Sequence, residues 1–282
     1  MAASYYYLGR ICNHLNQLEQ SLSYTTKGIE AFNPSGERLH FQYHLWINKV
    51  SVLEKQNRDS EALNIVEEIW NDIHLVDTAE ARLNLYQIRV ELLIKLHRYD
   101  EAIEIALDGL RDKARIDMMY DRCFELWSSL AEAYAKKGLL SNAEACFQAA
   151  LELEGNIQKK YLTIKTYTQS GLLYLEQNKM DLAQRTIEEA VRRGKKFHDD
   201  YRLVQALIGL GHCYLKQSKD LKGLKIFEEA LELSKKHSFN LPMFDILLEI
   251  TDICKRNNLP TYQKYVDDFQ QAAIQLRKVG AG

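Results

Sequence analysis

Four amides, Asn13, Asn84, Gln87 and Gln205, each pair a donor with an acceptor and can hydrogen-bond the backbone of an extended peptide whatever its side chains. Glu91, Glu125 and Glu132 suit a basic terminus or side chain, and Arg10 and Lys165 suit a carboxylate. Tyr161 and Tyr201 are spaced to pack an apolar side chain, and His212 completes this candidate peptide-binding set. Sharper chemistry finds no support. His40 and His44 stand one helical turn apart, but HFQYH is not HExxH and no carboxylate completes a ligand pattern. His212 and Cys213, as neighbours on a helix, point about 100° apart, which separates a nucleophile from its base. The chain has no G-x-G-x-x-G, phosphate loop or G-x-S-x-G. The expectation is no catalytic residue, no metal, no cofactor and no enzyme.

Helices must position these residues. Between Leu126 and Glu154, Trp127, Leu130, Ala131 and Tyr134 fall at i, i+3, i+4 and i+7, Lys137-Gly138 interrupts, and Ala143, Phe147 and Ala150 mark a second helix. Small residues meet large ones across a short turn, which is the tetratricopeptide pattern. Ser21, Ala62, Ala102, Ala143, Ala183, Gly223 and Tyr262 open successive second helices at intervals of 41, 40, 41, 40, 40 and 39 residues. Twelve residues earlier stand Gly9, Val50, Val90, Ala131, Gly171, Gly211 and Ile250, followed after three more by Cys12, Leu53, Leu93, Tyr134, Tyr174, Tyr214 and Ile253. The register predicts an all-α, right-handed superhelical solenoid of about seven helix pairs with a period near 40 residues, one domain over residues 1–282.

Turns are expected near Asn57-Arg58, Arg98, Lys137-Gly138, Asn178-Lys179 and Ser218-Lys219. Asp59, Asp100, Ser141, Asp181 and Asp220 are expected to cap the helices that follow. Pro242 and Pro260 are placed in first turns, and Asn33-Pro34-Ser35-Gly36 reads as a loop. The candidate residues follow from offsets of about 22, 18, 15, 11 and 8 before each register mark, the first-helix positions that face the inside of such an array. The alternative for any one of them is a solvated helix residue. Trp46, Trp70, Trp127 and the sixteen tyrosines serve mostly as packing between helices.

Charge excludes other classes. Thirty-seven Lys and Arg against 39 Asp and Glu leave a formal charge of −2, so no overall field draws phosphate backbones or anionic lipids. No apolar run reaches the roughly 20 residues of a bilayer span, and no basic region with an apolar core opens the chain. Five widely spaced cysteines without a C-x-x-C pair read as reduced, buried thiols of a cytoplasmic protein. At Met1-Ala2-Ala3 the helical pattern is already running, which predicts a fragment.

The common tetratricopeptide repeat has 34 residues. This chain inserts about six more between pairs, which predicts longer helices. Units near 40 residues, with the segments YYYLGRICNHLNQLEQSLSYTTKGIEAF, AEAYAKKGLLSNAEACFQAALEL and GHCYLKQSKDLKGLKIFEEALELSKK, resemble the peptide-binding domains of the Gram-positive quorum-sensing regulators, the Rap, NprR, PlcR and PrgX family. That resemblance implies an N-terminal helix-turn-helix DNA-binding domain missing here. It further implies a short re-imported signalling peptide on the concave face, a switch in conformation or oligomeric state, homo-oligomerisation, and binding of a sporulation response regulator. DNA would be reached only through the missing domain, and no membrane partner is expected. Rap-type phosphatases use an N-terminal helical bundle that this chain lacks. The alternative function is a tetratricopeptide scaffold for a partner protein's tail. A carboxylate clamp would need Lys and Asn at early inward positions, where Tyr6, Arg10, Ile47, Ser51, Gln87 and Glu91 stand instead.

Overall fold

The computed structural model describes residues 1–15, 17–33, 35, 39–71, 79–111 and 119–280, without the side chains of 39, 40 and 275–280. Among them lie fourteen helices and no strand: α1 (Ala2–His14), α2 (Leu18–Glu30), α3 (Leu39–Lys55), α4 (Asp59–Asn71), α5 (Ala79–Lys95), α6 (Tyr99–Arg111), α7 (Tyr120–Lys136), α8 (Leu140–Glu152), α9 (Leu162–Glu176), α10 (Met180–Phe197), α11 (Asp200–Lys216), α12 (Asp220–His237), α13 (Asn240–Arg256) and α14 (Tyr262–Gly280). First and second helices alternate along the chain, seven of each, as the 40-residue register requires. The chain packs as two compact units, Met1–Leu139 and Leu140–Gly282.

One turn recurs within the pairs. Asn57, His97, Gly138, Asn178, Ser218 and Asn258 all take a left-handed conformation, with φ between 50° and 81°. The amide after each one bonds a carbonyl five residues back: Arg58 to Leu53, Arg98 to Leu93, Leu139 to Tyr134, Lys179 to Tyr174, Lys219 to Tyr214 and Leu259 to Cys254. This is the Schellman ending, which satisfies helix carbonyls that would otherwise lack partners. Gln17 bonds Cys12 in the same way in the first pair. The acceptors follow the predicted series until the last, where Cys254 replaces Ile253, so the true interval there is 40 and not 39.

Capping differs from expectation. At α10 and α12 the cap positions are Lys179 and Lys219, with no side-chain cap bond, and Asp181 and Asp220 lie inside the first turn. Asp59 and Asp100 are likewise first-turn residues. They act on the positive end of the helix rather than by accepting at the cap, because the tight turn starts the helix at each aspartate or one residue before it. At α11 a side-chain cap does form: Asp199 accepts from the Arg202 amide at 3.0 Å. Pro242 lies in the first turn of α13, whereas Pro260 falls two residues before α14 begins. Pro34 and Gly36 of the expected loop lie outside the described residues, and Asn33 Oδ1 accepts from the Ser35 amide at 3.0 Å.

In the first unit α2 packs on α1 and α3, α4 on α3 and α5, and α6 on α5 and α7. Its core includes Leu45, Val50, Leu53, Leu85, Val90, Leu93, Leu126 and Leu130. In the second unit each helix from α9 to α14 packs on the one before it, around Val204, Leu207, Phe227, Ile246 and Ile250. The extra residues of the long period become helix here: α10 and α12 run for 18 residues against 13 for α2, α4, α6 and α8.

Candidate functional site

In the first unit the first helices α3, α5 and α7 are tied by polar side chains along one strip. Tyr43 on α3 donates its hydroxyl to the Ala81 carbonyl at 2.8 Å and accepts from Asn84 Nδ2 at 3.1 Å. Arg122 on α7 donates to Gln87 Oε1 at 3.4 Å and to Glu125 Oε2 at 2.9 Å, with Glu80 at 3.7 Å. Asn84, Gln87 and Glu125 therefore lie along this strip. The residues that join them, Tyr43 and Arg122, were missed. Each sits one place beyond a chosen offset, next to His44 and Asp121, so a wider angular window on the helix face would have found them. Burial pushes the Tyr43 phenol up to about 12, against the opposing effect of its Asn84 bond.

Glu91 and Glu132 are half-buried on α5 and α7. Near Glu91, burial raises the Glu54 carboxyl despite Lys95 at 2.8 Å. Arg10 is exposed, with Tyr6 Oη at 3.5 Å. Asn13 departs from the expected inward set. It is 8% exposed, and its Nδ2 is spent on Asn48 Oδ1 at 3.1 Å and Ser51 Oγ at 3.3 Å. The reason is that the space between α1, α2 and α3 is filled by polar groups, so an amide that belongs to the offset pattern is drawn into the packing.

In the second unit Tyr161 caps α9 and Tyr201 is the second residue of α11, both where one pair joins the next. Lys165 and Gln205 lie one turn further on and are half-buried. On α11, His212 follows on the same stripe, its ring edge-on to Phe227 at 5.5 Å. The two tyrosines share a cleft of about 810 Å³ whose lining also includes Gln158, Lys160, Phe197, Asp200, His237 and Phe239. Phe197, His237 and Phe239 were invisible to a search restricted to first helices, because they belong to the joins.

All five cysteines are free and buried, and burial pushes the Cys123, Cys146 and Cys213 thiols up to about 11, far from thiolate. Among the described residues no three His, Cys, Asp or Glu side chains cluster to hold a metal; the side chain of His40 lies outside them. Among them, too, no helix is long and apolar enough to cross a membrane.

Comparison with known proteins agrees with the architecture. Tetratricopeptide-repeat profiles match residues 124–157 and 168–238. No curated protein matches the sequence. Among solved structures, the apo quorum sensor NprR from B. thuringiensis superposes with a TM-score of 0.73 at 15% identity, over 95% of this chain and 75% of its own. Apo RapI gives 0.71 at 13% identity, over 98% and 99% of the two chains. A Rap protein complexed with competence and sporulation factor gives 0.71 at 12%, over 98% and 75%. At these identities the likeness establishes the fold: a tetratricopeptide-type array shared with Rap and NprR proteins.

Proposed function

We propose that this chain is the peptide-sensing domain of a cytoplasmic quorum-sensing regulator, nearest in kind to NprR, and that a short signalling peptide lies along its first-helix faces. The observation that carries the reading is the strip in which Asn84, Gln87, Arg122 and Glu125 present amide, guanidinium and carboxylate groups together on adjacent first helices. Such groups bind the peptide backbone and its termini without covalent chemistry. The shared fold with a Rap conjugation gene regulator in complex with the Phr* peptide supports it. On this reading the peptide shifts a conformational or oligomeric equilibrium. DNA is reached through a separate domain, and a sporulation response regulator is a further partner held by binding alone.

Calorimetric titration with short synthetic peptides encoded by the gene immediately downstream, with light scattering on the same samples, tests the proposal. The expected result is saturable binding of one peptide with a change in mass. Gln205→Ala is the cleanest variant, because Asn84 and Gln87 also hold neighbouring helices. Loss of one peptide hydrogen bond there costs about 1 kcal/mol, several-fold in affinity, at unchanged stability. A chain that binds none of the peptides, but retains a partner protein's tail, is a scaffold instead.

A further inference from the structure

The second-unit cleft has features that packing does not account for. Its wall is a closed circuit of contacts: Tyr201 stands edge-on to Phe239 at 5.2 Å, Phe239 stacks on His237 at 5.4 Å, and His237 Nε2 meets Asp200 at 2.8 Å, adjacent to Tyr201. Opposite, the Arg202 guanidinium lies 5.3 Å from the Tyr161 ring and is held by Asp199 at 2.6 Å. The rings are thus fixed before any ligand arrives. Yet Tyr161 is 38% and Tyr201 52% exposed, and neither hydroxyl has a hydrogen-bond partner among the described residues. Aromatic side chains held rigid, open to solvent and with an unspent polar tip are what binding anchors look like, since little entropy is lost when they engage.

The charges on the lining set the ligand's sign. Both aspartates are already matched, Asp199 by Arg202 and Asp200 by His237. The Lys160 ammonium, by contrast, rests on the backbone carbonyls of Glu154 and Gly155, which carry no formal charge. Glu154 turns its carboxylate away to Arg193, at 2.7 Å, and to Tyr167. A cationic ligand would have to displace existing pairs, whereas an anionic one meets uncompensated positive charge. The volume, about 810 Å³, lies in the range of sites that hold a small ligand or a few residues of peptide.

We propose that this cleft is an anchor site for a short peptide segment in which a large apolar side chain, seated among Tyr161, Phe197, Tyr201 and Phe239, is flanked by acidic residues that face Lys160. The inference rests on the peptide-binding reading above and names the chemistry of one end of the ligand.

A random heptapeptide library panned on the full chain, with counter-selection on the Tyr161→Ala/Tyr201→Ala double variant, tests it. The expected result is a set of sequences retained only by the unaltered chain, with Phe, Leu, Ile or Trp next to Asp or Glu. A synthetic peptide of that set should lose tenfold or more in affinity on the double variant and about threefold on Lys160→Gln. Tyr201→Phe, which keeps the ring, should stay within a few-fold, and thermal melts confirm that each variant is folded. Sequences retained only by the unaltered chain but basic, or lacking an apolar residue, overturn the assigned chemistry. Peptides that bind the double variant equally well place the anchor elsewhere on the first helices, which removes this site while leaving the peptide-binding function standing. No enrichment at all removes both.

Discussion

The first helix pair and the pairs of the second unit fill the same structural slot with different chemistry. Where the helices of a pair cross, a glycine meets a residue sixteen positions on: Gly9 meets Thr25, Gly171 meets Ile187 and Gly211 meets Phe227. In the first pair that slot is neutral and polar. Asn48 Nδ2 donates to Thr25 Oγ1 at 2.7 Å, the Ser21 hydroxyl donates to the Gly9 carbonyl at 2.7 Å, and Asn13 closes the set. In the second unit the slot is apolar. Polar adhesion there has moved to the helix flank, where Arg193 reaches Glu189, Glu154 and Thr163. The repeat geometry therefore asks only for one small residue and one filler; the chemistry of the filler is free, and it decides how each unit fails.

The largest effect should come from crowding the apolar slot. A Cβ at Gly211 would sit 2.5 to 2.8 Å from three ring carbons of Phe227, a fully buried side chain with nowhere to turn. Gly211→Ala should cost about 3 kcal/mol by urea denaturation, more than the gain of a better helix former returns. Phe227→Leu in the same chain should recover part of it, a coupling read from the double-mutant cycle. Gly9→Ala should cost about half as much, because its Cβ meets the Thr25 hydroxyl at 2.6 Å, a group that can rotate. Equal costs would show that the two slots are alike after all. Next, Asn48→Leu should cost about 2 kcal/mol by removing three buried hydrogen bonds, to the Asn13 amide and to the Ser21 and Thr25 hydroxyls. Replacing Asn13, Ser21, Thr25 and Asn48 together by apolar residues of matching size should restore most of that loss, whereas a network of real net value would not be recovered. Smaller again, Tyr43→Phe removes the bonds to Ala81 and Asn84 for about 1 kcal/mol.

This contrast also explains what the sequence made legible. Periodicity located the pairs because burying a face at every turn demands a small residue at a fixed spacing, and Asn57, Gly138, Asn178 and Asn258 announce left-handed turns by their type. His97 and Ser218 take the same conformation with no such signal, imposed by the turn. Asn13 was assigned to the ligand face because an offset cannot tell a polar residue that faces solvent from one that fills a polar slot. The cleft was half legible: Tyr161 and Tyr201 lie on the first-helix register, while Phe239 and His237 come from joins whose geometry periodicity does not describe.

The smallest expected effect sharpens the comparison through pH. The Glu189 carboxyl is held down to about 2, first by its hydrogen bonds from Arg192 and then by Arg193, against an ordinary carboxylate near 4.5. Its folded form binds a proton less readily than its unfolded form. The stability it adds is therefore complete above the ordinary value and drains away as pH falls from about 4.5 to about 2. Glu189→Gln should cost less than about 1 kcal/mol at pH 7, since the pair is partly open to water and Arg192 more so. Urea midpoints of the variant and the parent should converge toward pH 2.5. The Asn48→Leu deficit rests on uncharged groups and should keep its size over the same range. If both deficits shrank together in acid, the loss would belong to the whole chain, and the division between a neutral slot in the first pair and an ionic flank in the second unit would not hold.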